Sequence, residues 1–265
     1  MTRVIGIISG KGGVGKTTIA LNLGTVLAHH LKKNVTVIDC NLTTSHVGLY
    51  LGIYYSPSTL NKVLRGESGI EEAIIQHFSG MKVIPASLSL SDLEGIDITL
   101  LRDHLKEIFE NNDVILLDAS PGLGREVFAT LKASDEVIYV TTPYIPCVMD
   151  IVRYQEVVNE LGIKPLGIVL NMVNKKRYEM TSTEIEQLTR LPVIASIPFD
   201  KNVNKSLASK IPVVVLKPKS KASKELIKLG KKLFGETYMP RGKLSRFLQR
   251  LRSSFKKRKT ELPTL

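Results

Sequence analysis

The sequence predicts an α/β protein with a mostly parallel, doubly wound sheet and helices on both faces. Three observations carry this expectation. Short apolar runs recur along the chain, beginning with Val4-Ile5-Gly6-Ile7-Ile8. Helix-length stretches alternate with them, at 100–109, 148–161, 183–188 and 220–234, and such alternation implies crossover connections between parallel strands. The first run passes through a glycine-rich loop straight into the apolar-periodic Ile19-Ala20-Leu21-Asn22-Leu23. In a sheet of this kind ligands sit at the carboxyl ends of the strands.

Taken in order, residues 4–8 form the first strand and residues 10–17 read G-K-G-G-V-G-K-T. The spacing Gly10-x4-Gly15-Lys16-Thr17 points backbone N–H groups into one concavity that suits a triphosphate, with Lys16 on its outer phosphates and Thr17 on Mg²⁺. Lys11 stands where the general pattern accepts any residue. It cannot easily fold back onto its own nucleotide while Lys16 holds the outer phosphate, but it can reach across to a nucleotide in a facing subunit.

Further strands are expected at 35–39, ending in Asp39, at 113–118, ending in Asp118, before Thr141-Thr142-Pro143, and at 166–171. The turn 119–124 and the stretch Ile197-Pro198-Phe199-Asp200 follow strands at the same end. With this order, K-G-G-V-G-K-T-T resembles the deviant Walker A loop of the MinD/ParA class of P-loop ATPases, and the likeness runs over about residues 3–234, closest in wording to archaeal MinD-like proteins. The resemblance implies an ATP-dependent homodimer that sandwiches two nucleotides, with ATP and Mg²⁺ as cofactors. It implies a phosphate site at Gly10, Lys11, Gly12, Gly13, Val14, Gly15, Lys16, Thr17 and Thr18. It also implies Mg²⁺ at Thr17, with Asp39 and Asp118 acting through water, a γ-phosphate contact from the Gly122 N–H, and an adenine site at Asn171 with Pro198 nearby. Asp150 matches an acidic position near the subunit interface. Lys11, Lys16 and Asn41 are the expected catalytic residues.

The departure lies at Asp39-Cys40-Asn41, where the family usually reads D-x-D. The missing carboxylate organises the attacking water in the family, and Asn41 keeps a hydrogen-bonding oxygen while losing charge and proton-accepting capacity. General-base assistance is worth roughly 10²–10⁴ in rate, so hydrolysis is expected to be slow or partner-stimulated. His29, His30 and His46 lack metal-ligand spacing and read as surface or core residues.

At 265 residues with 43% hydrophobic content, one sizeable core can form. Two isolated cysteines, Cys40 and Cys147, point to a reducing compartment and away from iron–sulfur carrier relatives. No run approaches the roughly 20 apolar residues of a transmembrane helix, and the apolar start is too short for a signal peptide. The expected domain spans 1–235, with a linker at 236–242 and a tail at 243–265.

That tail differs in character. Residues 241–259 hold nine Lys/Arg and no acid, in a chain of net charge +12. Leu244, Phe247, Leu248, Leu251 and Phe255 fall within an arc of about 100° on a helix, which suits the plane of an anionic membrane. A solvated basic tail and a nucleic-acid contact are the competing readings, though phosphate contacts need no Phe and Leu stripe. Two functional classes remain open: a cytoplasmic, membrane-cycling ATPase switch that positions other proteins, and an ATP-binding membrane scaffold with little hydrolysis. A ParA-like DNA-partitioning role is a third. The protein cargo or activator is not named by the sequence.

Overall fold

The computed structural model describes residues 2–234. Residues Met1–Gly230 form one compact unit, and a second begins at Lys231, of which 231–234 are described. The linker at 236–242 and the tail stripe from Leu244 to Phe255 lie outside the described residues.

Eight strands build one sheet: β1 (Arg3–Ile8), β2 (Val35–Cys40), β3 (Ile75–Gln76), β4 (Lys82–Ile84), β5 (Val114–Ala119), β6 (Glu136–Thr141), β7 (Lys164–Val173) and β8 (Val193–Pro198). Their spatial order is β3-β4-β2-β5-β1-β6-β7-β8, and every pairing is parallel except β3 with β4. The helices are α1 (Lys16–Thr25), α2 (Val47–Leu51), α3 (Leu60–Leu64), α4 (Leu101–Glu107), α5 (Arg125–Ala133), α6 (Ile145–Glu160), α7 (Ser182–Thr189), α8 (Lys201–Ser209), α9 (Val213–Leu216) and α10 (Lys221–Leu233).

Every residue of β2, β5 and β6 is buried, as expected of parallel strands covered on both faces. On one face, Val4, Ile38, Ile115 and Leu117 pack with residues of α3, α4 and α5. Farther along that face, Tyr139, Ile168 and Leu170 pack with α6 and α7. The opposite face is covered by α1, which approaches closely because Gly24 lies against Val37, Met81 and Leu116. Burying such side chains contributes about 1.5–3 kcal/mol each, and this fixes the strand ends that carry the polar residues. Local signals set the helix starts: Thr181 and Glu184 form a reciprocal capping box on α7, Asp200 caps α8, and Pro146 lies in the first turn of α6.

The structure extends the expected elements. β3 and β4, only two and three residues long, add an edge to the sheet. Helix α6 starts three residues before the expected 148 because Pro146 favours an N-terminal turn, and α2, α3, α5, α8 and α9 were not individually foreseen.

Candidate functional site

Between β1 and α1 the chain wraps over the amino end of α1. Gly13 has φ 79° and Gly15 φ 94°, in the left-handed region that favours glycine. A Cβ on Gly15 would also collide with the Asn171 amide. A glycine loop leading into the start of α1 is an arrangement suited to an anion. Lys16 opens that helix at 8% exposure, and burial lowers its pKa while the Asp118 charge opposes the shift. Lys11 is exposed, and its carbonyl accepts a 2.7 Å hydrogen bond from Ser9 Oγ.

Asp39 and Asp118 face each other in register on β2 and β5, and both are buried. They differ in how they are satisfied. Asp39 Oδ2 accepts from Ser45 Oγ at 2.8 Å, His46 N at 3.1 Å and Val47 N at 3.0 Å, and its Oδ1 accepts from Asn41 N at 3.1 Å. Burial still raises its pKa, with these hydrogen bonds opposing. Asp39 is therefore the anchor of the 41–47 turn. Asp118 Oδ1, by contrast, is buried with no hydrogen-bond partner. Burial and then the Asp39 charge push its pKa to about 7, against a Thr17 hydrogen bond and the Lys16 charge.

Two buried carboxylates beside one ammonium, with an orphaned oxygen next to Thr17, fit a hydrated divalent cation. Among the described residues no three His, Cys, Asp or Glu side chains cluster to hold a metal. That suits Mg²⁺, which keeps several waters and takes ligands from nucleotide phosphates rather than from an all-protein cage.

The side chain of Asn41 is committed on both sides. Its Nδ2 donates to the Thr44 carbonyl at 2.6 Å and its Oδ1 accepts from Thr44 Oγ1 at 3.0 Å. Thr43 Oγ1 donates to Glu126 of α5 at 3.1 Å, joining this turn to the segment after β5. In that segment Gly122 has φ 81°. The Tyr154 hydroxyl is placed between two carbonyls, that of Gly122 and that of Ser9, the latter at 3.1 Å.

A cavity of about 310 Å³ opens over the loop, near the lower end of the size range of small-molecule sites. Gly12, Gly13, Gly15, Lys16, Thr17 and Thr18 line it where the loop meets α1, and Asn41 also lines it. At the far end stand Asn171, Met172, Pro198, Phe199 and Leu207. Asn171 Nδ2 also donates to the Val14 carbonyl at 2.8 Å, so one amide braces the loop while facing the cavity.

Thus the structure brings Gly12, Gly13, Gly15, Lys16, Thr17, Thr18, Asn41, Asn171 and Pro198 around one cavity. Gly10, Lys11, Val14, Asp39, Asp118 and Gly122 do not line it. Gly10 packs against Asp150, Val14 is buried, and the aspartates lie at the strand ends. Sequence reasoning missed Thr44, His46 and Tyr50, which also line the cavity. The signal available was position, since a turn anchored on Asp39 must deliver the start of α2 to the same strand end.

The match to a family model, CobQ/CobB/MinD/ParA nucleotide binding domain, covers residues 5–213. An uncharacterised ATP-binding protein of Methanocaldococcus jannaschii is 34% identical over 238 residues, 90% of each chain. The cell division ATPase MinD of Pyrococcus furiosus superposes with a TM-score of 0.85 at 31% identity, covering 89% of this chain and 99% of that one. The septum site-determining protein MinD of Pyrococcus horikoshii, solved with Mg-ADP, gives 0.84 at 31%, covering 88% and 96%. Architecture, phosphate loop and sequence agree: this chain belongs to the CobQ/CobB/MinD/ParA family of nucleotide-binding domains.

Proposed function

We propose that this protein is an ATP-dependent, dimerising switch of MinD type that associates peripherally with the cytoplasmic face of a membrane and positions other proteins there, with slow hydrolysis because Asn41 stands where the family usually carries aspartate. One observation carries this reading: beside a loop with two left-handed glycines, buried Lys16 feels the charge of Asp118, whose buried Oδ1 makes no hydrogen bond, while Lys11 stays exposed. The Mg-ADP of the Pyrococcus horikoshii relative supports ATP and Mg²⁺ as ligands here.

In this reading the glycine N–H groups and Lys16 bind the phosphates. Thr17, with Asp118 behind it, holds Mg²⁺, which neutralises phosphate charge when bound. Asn171 and Pro198 take the adenine, and Lys11 crosses to the partner's nucleotide. The predicted stripe of Leu244, Phe247, Leu248, Leu251 and Phe255, in residues 243–265, meets anionic lipid. A specific observation favours a second reading, an ATP-binding membrane scaffold with little or no turnover: the Asn41 amide is already engaged with Thr44 on both its polar atoms. A ParA-like role on DNA is less favoured, because the tail stripe is apolar.

The test is co-sedimentation of the full chain with anionic liposomes under ATP, ADP and no nucleotide, together with phosphate release. ATP-dependent sedimentation with stimulated release supports the switch. Sedimentation indifferent to nucleotide, with no release, supports the scaffold, and retention on DNA but not on lipid would overturn both.

A further inference from the structure

The folded body is electrically divided along its sequence. Residues 1–200 hold 18 Lys/Arg against 22 Asp/Glu, whereas residues 201–228 hold eight Lys against one acid, Glu225. Some cations of the first part are paired internally: Arg3 and Lys164 with Glu136, Arg65 with Glu67 and Asp92, and Arg102 with Asp135. In the second part Lys228 pairs with Glu225, and Lys210 lies 4.5 Å over the Tyr54 ring. Among the described residues, Lys201, Lys205, Lys217, Lys219, Lys221 and Lys224 make no salt bridge, and all six are exposed.

The fold gathers these lysines. Asp200 accepts from Asn202 N at 2.9 Å and from Ala222 N at 3.2 Å, which ties the amino ends of α8 and α10 together. Lys201 therefore comes beside Lys219 and Lys221, and Lys205 follows one turn along α8. On α10, Lys221, Lys224 and Lys228 recur at i, i+3 and i+7, opposite the buried Ala222, Leu226 and Leu229.

We propose that this α8–α10 lysine face is a second membrane contact, one that docks the folded body on anionic lipid headgroups. It deepens the membrane reading above and rests on it. An anionic surface repels the net-acidic remainder of the body, so the segment richest in lysine is the one it favours. The charge acts within about one Debye length, roughly 8 Å at physiological salt. Lipid is favoured over nucleic acid because α10 continues in sequence toward the five-residue apolar stripe, which has a use at a bilayer and none on a phosphate backbone.

The experiment uses full-length protein with ATP and vesicles containing 30% anionic phosphatidylglycerol in phosphatidylcholine. Lys217→Gln, Lys219→Gln, Lys221→Gln and Lys224→Gln are combined, and nucleotide affinity and thermal midpoint are used to verify the fold. The combined variant should bind at least tenfold more weakly at low salt, since each near-surface lysine contributes severalfold, and should converge on wild type at high salt. Wild-type binding at low salt would overturn the proposal. So would unchanged lipid binding with loss of double-stranded DNA retention, which would make the face a nucleic-acid surface. Leu248→Glu with Leu251→Glu tests the tail separately: if that variant binds vesicles like wild type, the tail reading fails, while the lysine variant still decides the face.

Discussion

Replacing Asp118 by asparagine tests the cation site at its most exposed point energetically. An acid raised from its ordinary 3.8 to about 7 on folding releases its proton later in the native state than in the unfolded one. Between these values the unfolded chain binds fewer protons, so the stability of the nucleotide-free protein falls as pH rises from about 4 to 7 and is level beyond. At about 1.4 kcal/mol per pH unit, the full cost is on the order of 4 kcal/mol, shared with the neighbouring Asp39 carboxyl, and less than half of it is already present at pH 5. Asparagine keeps the shape and cannot ionise. The advantage of Asp118→Asn over wild type should therefore widen by about 2–3 kcal/mol between pH 5 and pH 8, a midpoint difference of about 5–10 °C. Thermal melts of the nucleotide-free proteins at the two pH values measure it. Adding ADP with Mg²⁺, compared with ADP and a chelator, should stabilise wild type further and give the variant a clearly smaller metal-dependent gain. A gap flat in pH, or a metal-dependent gain retained in full by asparagine, would refute the assignment of Asp118 as a carboxylate disfavoured by burial and relieved by a cation.

Lys11→Ala should leave most nucleotide affinity intact and abolish ATP-dependent dimerisation, whereas Lys16→Ala should weaken nucleotide binding itself; light scattering and a fluorescent nucleotide titration separate the two, and equal loss of affinity would sink the cross-subunit role. Asn41→Asp should raise ATP turnover at least tenfold. It should also lower nucleotide-free stability by about 1–3 kcal/mol, because a carboxylate oxygen would then face the Thr44 carbonyl in place of a donor; an unchanged rate with binding preserved removes Asn41 as the limiting feature. Leu248→Glu with Leu251→Glu should weaken liposome binding strongly at every salt, leaving at low salt only the attraction of the α8–α10 lysines, and sedimentation like wild type would show that the stripe is not a membrane face.

The central strands were legible because each is a run of apolar residues ending in a chemically marked loop. β1 and its glycine loop, β2 with Asp39 and β5 with Asp118 follow directly from residue order. β3 and β4 were not, since two- and three-residue strands carry no periodicity and are defined by pairing, β4 with β2 and β3 with β4. At the site, residue types were readable but their partners were not. That Asp39 spends its oxygens on the 41–47 turn, and that Asp118 does not, depends on where the chain turns after β2. The bond from Asn171 to Val14 spans 157 residues, and no local pattern encodes it. Thr44, His46 and Tyr50 reach the cavity through that same turn.

Tyr154 leaves one last consequence. Its hydroxyl has a single proton and two candidate acceptors, the carbonyls of Ser9 and Gly122, and the ring is buried. A buried hydroxyl stripped of its acceptor costs about 1–3 kcal/mol, a toll that would ordinarily pin the 120–124 loop in place. Here the Ser9 carbonyl, 3.1 Å away, stands ready as a second acceptor for the same proton. One hydroxyl on α6 can thus be satisfied from either side, by the end of β1 or by the loop after β5, and the pairing with either one suffices to keep it from being stranded.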